Sequence, residues 1–248
     1  MGDEANAIRR VVTLLEGAAM RGGRIRFAEA TALLAPIGPN TVARLLRELV
    51  RAGVLERGRD RAYAITEAPM FWAASVPQGR DLRAVARPHL VRLNRELAAT
   101  AALAVPYRGR MTVLDRILDP ESPSLMAPGT FAPLSPVHIG GIFLAAPEAL
   151  ADDAALRRWI ASEPRPRIDL ASLRQLIDQA LADDVAVDPG LMYASLHRVS
   201  SPVRVDGRVV ACLGIGASPV RGSAFMRLAS RQVYACARAM AATLARAR

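Results

Sequence analysis

The chain has 248 residues, and 52% of them are hydrophobic, so it can bury a substantial core. Its length favours two domains over one. The formal net charge is +10, and all 33 basic residues are Arg. No uninterrupted apolar run reaches the roughly 20 residues that span a membrane, and the first residues lack a signal-peptide pattern. We therefore expect a soluble, cytoplasmic protein that makes no membrane contact.

The positive charge is not concentrated at one end of the chain. Residues 1–68 hold 11 Arg against 8 acidic residues, and residues 69–248 hold 22 Arg against 15 acidic residues. Bulk charge is therefore weak support for nucleic-acid binding, although a basic surface assists non-specific attraction to DNA. Cys212 and Cys236 lie in apolar segments without metal-ligand spacing. We expect reduced, buried thiols, no metal and no cofactor.

The first quarter of the chain has the element order of a winged helix-turn-helix. Helical spacing predicts two initial helices, marked by Ile8, Val11, Val12 and Leu15 and then by Phe27, Ala30, Leu33 and Leu34. A turn at 36–38 precedes a third helix over 39–52, with Pro39 in its first turn and Gly53 at its end. Residues 54–57 and 61–65 alternate at strand period around the tip 58–60, which predicts a hairpin.

The third helix separates apolar from basic residues. At about 100° per residue, Val42, Leu45, Leu46 and Leu49 share one face. Arginine can pair with guanine or phosphate, and an Asn near the helix start can pair with adenine. The predicted DNA-binding residues are Asn40, Thr41, Arg44, Arg47, Arg51 and, on the wing, Arg57, Arg59 and Arg61. The alternative is a solvated helix face, since Glu48 lies within reach of Arg44 and Arg51.

The remainder of the chain predicts an α+β domain around an antiparallel sheet. After a connector at 68–79, Asp81 caps a helix that runs to about residue 99. Pro88 lies inside this helix and should kink or interrupt it. Strands are predicted at 102–107, 111–117, 199–205 and 209–215, and helices at 137–146, 154–161, 170–181 and 225–246. Asp206-Gly207 is a strong hairpin signal between the last two strands. The predicted division is a DNA-binding domain at 1–68, a linker and connecting helix at 69–99, and an effector-binding and oligomerisation domain at 100–248.

Several segments together resemble the IclR family of bacterial transcriptional regulators, named for the isocitrate lyase regulator. The most specific is 39–49, with the sequence PNTVARLLREL, followed by AGVLE at 52–56 and Tyr63. Further segments are Asp81-Leu82, RPHLVRL at 87–93, ALAV at 102–105, and SPV at 201–203 ahead of Asp206-Gly207. The resemblance runs nearly from end to end of the chain.

The resemblance implies a winged helix-turn-helix joined by a linker helix to a GAF-like effector domain. It also implies a homodimer or homotetramer that binds operator DNA of a metabolic operon and responds to a small metabolite, often an organic acid. It implies no catalysis, and both activation and repression of transcription fit it.

The effector pocket departs from the family pattern. A frequent Gly-Ala pair corresponds here to His138 and Ile139, ahead of Gly140, and a frequent Cys or Ser position corresponds to Arg198. Hydroxyl positions on the last strand correspond to Gly214 and Gly216, which opens volume for a bulkier or less polar ligand. We hypothesise that Arg198, His138 and Asp188 converge on an anionic ligand. Alternatively, Arg198 is an exposed strand residue and His138 caps or packs at its helix.

Two other functions stay open at this stage. An enzyme could use one of His89, His138 or His197, but the sequence has no GxSxG, HExxH or phosphate-binding glycine loop. A ligand sensor or interaction module could have kept the winged helix only for dimerisation. The cationic face opposite the apolar stripe argues against that reading, because dimerisation alone does not require it.

Overall fold

The chain forms two compact units, Met1–Pro77 and Gln78–Arg248. A computed structural model describes residues 2–75, 81–122, 126–136, 140–162, 167–191 and 193–246, with side chains from residue 6 onward. The predicted fold class is confirmed, because a helical N-terminal unit with a small sheet precedes a mixed unit built on an antiparallel sheet.

The first unit is a winged helix-turn-helix. Its helices are α1 (Gly2–Ala19), α2 (Phe27–Leu33), α3 (Pro39–Arg51) and α4 (Ala68–Ala74), and its strands are β1 (Arg24–Ile25), β2 (Leu55–Arg57) and β3 (Tyr63–Ile65). The strands pair antiparallel in the order β1-β3-β2. The core of this unit is built on Leu14, Ile25, Leu46 and Leu55, all almost completely buried.

The limits of α3 follow from its sequence as predicted. Pro39 occupies the first turn, where its missing N–H would have no intrahelical partner. At the other end Gly53 adopts φ +71°, and the Val54 N–H donates to the Leu49 carbonyl, which closes the helix in the manner favoured by glycine. The apolar face is buried as expected through Val42, Leu46 and Leu49.

The second unit is organised by one antiparallel sheet in the order β6-β5-β4-β9-β8-β7. Its strands are β4 (Thr100–Tyr107), β5 (Arg110–Ile117), β6 (Phe131–Pro133), β7 (Ala186–Asp188), β8 (His197–Val205) and β9 (Arg208–Ala217). The Asp206-Gly207 hairpin joins β8 to β9 with positive φ at both residues, as the sequence predicts.

Helices cover both faces of this sheet. On one face, α5 (Leu82–Leu97) and α10 (Gly222–Arg246) pack on the sheet, with Leu90, Leu93, Val233 and Met240 in a common core. On the other face lie α6 (Gly141–Leu144), α7 (Pro147–Ala151), α8 (Asp153–Ser162) and α9 (Leu170–Asp183). A short 3₁₀ helix, Pro219–Arg221, precedes α10, and the Arg221 guanidinium donates to the Leu97 carbonyl at 2.8 Å.

Four sequence expectations differ from the structure. Helix α5 continues through Pro88 without interruption, and only Gly141–Leu144 of the predicted helix 137–146 is helical in the described residues. Arg61 has φ +61° and belongs to the wing turn rather than to its second strand. On α1, Val11 and Leu15 of the predicted stripe pack against the core beside the buried Leu14, whereas Ile8 is 70% exposed, so only part of the stripe is buried.

Candidate DNA-binding and effector-binding sites

The outward face of α3 carries exposed polar and basic side chains. Asn40, Arg44, Arg47 and Arg51 are exposed, and Thr41 is partly buried. Arg51 forms an ion pair with Glu48 at 2.8 Å, whereas Arg44 and Arg47 have no ion-pair partner among the residues that the structure describes. An exposed arginine without a carboxylate partner keeps its full donor set for an external acceptor. Within the described residues, Glu48 therefore pairs with Arg51 and not with Arg44 or Arg47, and the exposure of those two side chains fits both DNA binding and a solvated helix face.

The wing is held in place by contacts at its tip. Asp60 accepts from the Arg24 guanidinium at 3.1 Å and from the backbone N–H of Ala62 at 3.2 Å, which ties the tip to β1. The Arg57 guanidinium lies 5.9 Å from the centre of the Tyr63 ring. Arg57, Arg59 and Arg61 are all exposed. The first unit thus presents two basic elements, one helix and one hairpin.

The strand register brings the predicted effector residues of the sheet onto one face. Gly214 of β9 lies opposite Ser200 of β8, and Gly216 lies opposite Arg198. On the other side of β9, the same glycines lie opposite Ala102 and Thr100 of β4. Residues directly opposite one another in a ladder project from the same face. The two glycines therefore contribute no side chains of their own to this face, beside a buried arginine.

Arg198 is enclosed rather than exposed, which removes one alternative of the sequence analysis. Arg198 and Asp188 are each 7% exposed, and the guanidinium donates to one carboxylate oxygen at 2.5 and 3.0 Å. The guanidinium also lies 5.2 Å from the centre of the Tyr193 ring. Asp188 accepts in addition from the Leu191 N–H at 2.7 Å, which fixes its orientation. The charge of Arg198 is balanced within the protein, so the site is a preorganised polar cluster with an aromatic wall.

Gly140 packs closely against the same sheet. It adopts φ +73°, and a Cβ placed there would come within 2.5 Å of the Cβ of Cys212, so a side chain at this position would collide with β9. Cys212 is fully buried, and burial raises the pKa of its thiol far above the ordinary range. Burial also raises the pKa of Cys236. Both cysteines are free, and both remain protonated at neutral pH.

The structure thus brings Asp188, Arg198, Gly214 and Gly216 together on adjoining strands, with Gly140 packed against the same sheet. His138 and Ile139, predicted at this site, lie outside the described residues. Sequence reasoning missed Tyr193 and Ser200, which come close to the site through strand register and a loop. A Tyr five residues before an Arg does not by itself predict a contact between the two side chains. They stack here only because of the path of the loop that joins them.

In the described part of the chain, no group of three or more His, Cys, Asp or Glu side chains is arranged to hold a metal ion. None of its helices is long and apolar enough to cross a membrane. Among the candidate catalytic histidines, His89 has a lowered pKa, caused first by burial and then by the Arg92 charge.

Solved structures with the same fold cover nearly the whole chain. An IclR homologue from Microbacterium hydrocarbonoxydans, complexed with 4-hydroxybenzoate, is 23% identical, with 96% of this chain and 98% of that chain covered and a TM-score of 0.72. An IclR transcriptional regulator from Alicyclobacillus acidocaldarius is 17% identical, with 96% and 98% covered and a TM-score of 0.73. An IclR family transcriptional regulator from Brucella abortus is 19% identical, with 96% and 92% covered and a TM-score of 0.67. At these identities the likeness concerns the fold.

The family itself follows from sequence. No curated protein sequence shows significant similarity to the chain. Residues 74–242, however, match the family model for the C-terminal domain of the bacterial transcriptional regulator IclR, and these residues make up more than half of the chain. The chain belongs to the IclR family of bacterial transcriptional regulators.

Proposed function

We propose that this protein is a homo-oligomeric regulator that binds operator DNA through α3 and the wing and responds to a small effector bound on the sheet of the second unit. The observation that carries the proposal is the two-sided character of α3. Its apolar side is buried through Val42 and Leu46, while Arg44 and Arg47 are exposed without ion-pair partners in the described residues. A helix in this position of a helix-turn-helix enters the major groove of DNA.

The effector is best sought among aromatic carboxylates and related organic acids. The homologue from Microbacterium hydrocarbonoxydans is complexed with 4-hydroxybenzoate, which makes that compound the first probe. In this chain Tyr193 supplies an aromatic wall and Arg198 supplies N–H donors. Because Asp188 already balances the arginine, the ligand's carboxylate gains less from Arg198 than it would from an unpaired cation.

Ligand control of DNA binding requires two arrangements of the oligomer. Two recognition helices must match half-sites about one helical turn of DNA apart, roughly 34 Å between centres. A ligand changes DNA affinity only if it binds one arrangement more tightly than the other. No catalytic step is needed for this function. The direction of regulation follows from which arrangement the ligand favours.

The test is a fluorescence-anisotropy titration of the full chain against the intergenic DNA upstream of its own gene, with random DNA of equal length as control. We expect tighter binding to the upstream DNA at physiological salt. Equal, salt-sensitive binding to both would show only that the surface is basic and would contradict the specific-operator part of the proposal. Absence of binding even at low salt would favour a ligand sensor or dimerisation module instead.

A further inference from the structure

The positive charge of the second unit is concentrated on one of its two helical layers. Helices α5 and α10 together carry eight Arg and a single acidic residue, Glu96. The helices on the opposite face of the sheet, α6 to α9, carry three Arg and four acidic residues. A general bias towards Arg in the composition would raise both layers alike. The difference is therefore a property of this face of the domain.

Most of the arginines in this layer are not neutralised. Arg87 pairs with the buried Asp115 at 2.8 Å, where Arg83 also approaches at 3.8 Å, and Arg92 pairs with Glu96 at 3.0 Å. The others are exposed and have no ion-pair partner in the described ranges of the chain. They are Arg95, Arg227, Arg231, Arg238 and Arg246.

Three of these arginines form a stripe along α10. Arg227, Arg231 and Arg238 recur at spacings of four and seven residues, which places them on one side of the helix at intervals of about 6 and 11 Å along its axis. The opposite side of α10 is the buried one, through Met226, Val233 and Met240. The stripe therefore faces away from the sheet. Tyr234, 37% exposed, extends the same side.

Charge complementarity decides what this surface can accept. A second copy of the same face would bring like charges together, which opposes self-association through it. Duplex DNA presents one negative charge per about 1.7 Å of its axis, and exposed guanidinium groups pair with its phosphates without reading the bases. DNA is also the polyanion that the proposed function brings to this protein.

We propose that the outer face of α10, which carries Arg227, Arg231 and Arg238, is a second, sequence-independent contact surface for the DNA backbone. The inference rests on the proposed function for its ligand but concerns different residues in a different unit. Recognition of DNA by α3 and the wing gives no role to the positive charge excess of residues 69–248. The proposed surface gives that excess a role.

The test compares two triple variants of the full chain that lose the same net charge. The first is Arg227→Ala/Arg231→Ala/Arg238→Ala. The matched control is Arg157→Ala/Arg167→Ala/Arg208→Ala, whose three arginines are exposed, lie outside the α5/α10 layer and have no ion-pair partner in the described residues. Binding to random duplex DNA is measured by anisotropy over a series of salt concentrations. Each lost phosphate contact should reduce the slope of log K against log salt by about 0.9.

We expect the α10 variant to lose up to about 2.7 units of slope and the control variant to keep the wild-type slope. The variant Arg227→Lys/Arg231→Lys/Arg238→Lys retains the charge and should keep most of the slope. Equal losses in the α10 and control variants, or an unchanged slope in the α10 variant, would overturn the inference. A changed oligomeric state with unchanged DNA binding would overturn it too, in favour of a protein partner. If the alanine variant fails to fold, the Gln triple variant replaces it under the same criteria.

Failure of the inference and failure of the proposed function give different results. The inference concerns binding to random DNA, whereas the proposed function concerns preference for the upstream DNA. A protein that keeps its preference while the α10 variant keeps its slope refutes only the inference. A protein without preference whose α10 variant loses slope refutes only the specific-operator proposal.

Discussion

At the scale of single residues, the buried pair of Arg198 and Asp188 is the feature that distinguishes the proposed effector site. Two opposite charges at 7% exposure are costly to desolvate and gain their stability from one another. We expect Arg198→Ala to destabilise the protein by about 3 kcal/mol, because it leaves the Asp188 carboxylate buried without its partner. The double variant Arg198→Met/Asp188→Leu should lie much closer to the wild type. Urea unfolding of the three proteins measures the difference.

The exposed pair of Arg204 and Asp184 is the matched control for that prediction. Its side chains are 38% and 34% exposed, and the two groups lie 2.8 Å apart. Because solvent screens such a pair, Arg204→Ala should cost less than about 1 kcal/mol. Equal costs for Arg198→Ala and Arg204→Ala, or a double variant Arg198→Met/Asp188→Leu as destabilised as Arg198→Ala, would show that burial does not govern the Arg198 interaction.

The residues of this site also show where sequence reasoning ends. Asp188 and Arg198 could be named together, and the structure confirms that they meet, since they lie opposite one another in the ladder of β7 and β8. Their mutual neutralisation could not be predicted, because a charge aimed at a ligand and a charge balanced by a neighbour look identical in a sequence. Tyr193 was missed for a similar reason, since its position depends on the path of a loop.

At the scale of elements, α3 and the wing should make different contributions to DNA binding. Arg44→Ala/Arg47→Ala removes exposed side chains from the helix predicted to meet base edges, so it should reduce the preference for upstream over random DNA by roughly 1–3 kcal/mol per lost base contact. Arg59→Ala at the wing tip should weaken both DNAs by similar factors, as a phosphate contact does. Competition anisotropy with the two DNAs separates the effects.

The same variants test the interaction alternative. The α3 side chains concerned are exposed and contribute nothing to the buried side of that helix, so the oligomeric state should be unchanged in sedimentation. Dissociation of the oligomer by Arg44→Ala/Arg47→Ala would indicate that α3 serves assembly. A uniform loss on both DNAs would indicate that the helix contacts only phosphates.

Elements were predictable in proportion to their length and the strength of their periodicity. Helices α3 and α9 and the β8–β9 hairpin were predictable from apolar spacing and Asp206-Gly207, and the structure confirms them to within two residues at each end. Strands β6 and β7 have three residues each, too few for an alternating pattern to emerge. Pro88 removes one hydrogen-bond donor from α5, yet Ala86 and Leu90 on either side are completely buried, so packing keeps the helix continuous.

At the scale of the whole molecule, the positions of the charged side chains, more than the net charge, bear on function. A charge of +10 says little by itself, and 11 Arg in the first 68 residues are offset by 8 acidic residues. Among the residues that the structure describes, exposed arginines on α3 and α10 have no ion-pair partner, whereas buried Arg198 is paired with Asp188. Each arginine that neutralises a phosphate releases counterions from the DNA, so the number of exposed arginines in contact with DNA, and not the total charge, should set the salt dependence.

Effector binding provides the last whole-molecule prediction, and hydrogen exchange can locate it. With 4-hydroxybenzoate as probe and acetate at equal concentration as ionic control, amide exchange should slow in β8 and β9 around Arg198, Gly214 and Gly216, because a ligand suppresses local opening where it binds. Residues 39–51 of α3 should exchange unchanged in the absence of DNA.

The same hydrogen-exchange experiment would also reveal ligand binding at a competing location. A groove of about 380 Å³ is formed by α6, α7 and α9 and is lined by Phe143, Leu150, Ile177 and Leu181 with Arg174 and Arg204. Protection of α7 and α9 with unchanged β8 and β9 would place the ligand in that groove and contradict the sheet-face site. If the ligand protects β8 and β9 in the wild type but not in the folded variant Arg198→Met/Asp188→Leu, ligand binding depends on the buried ion pair itself.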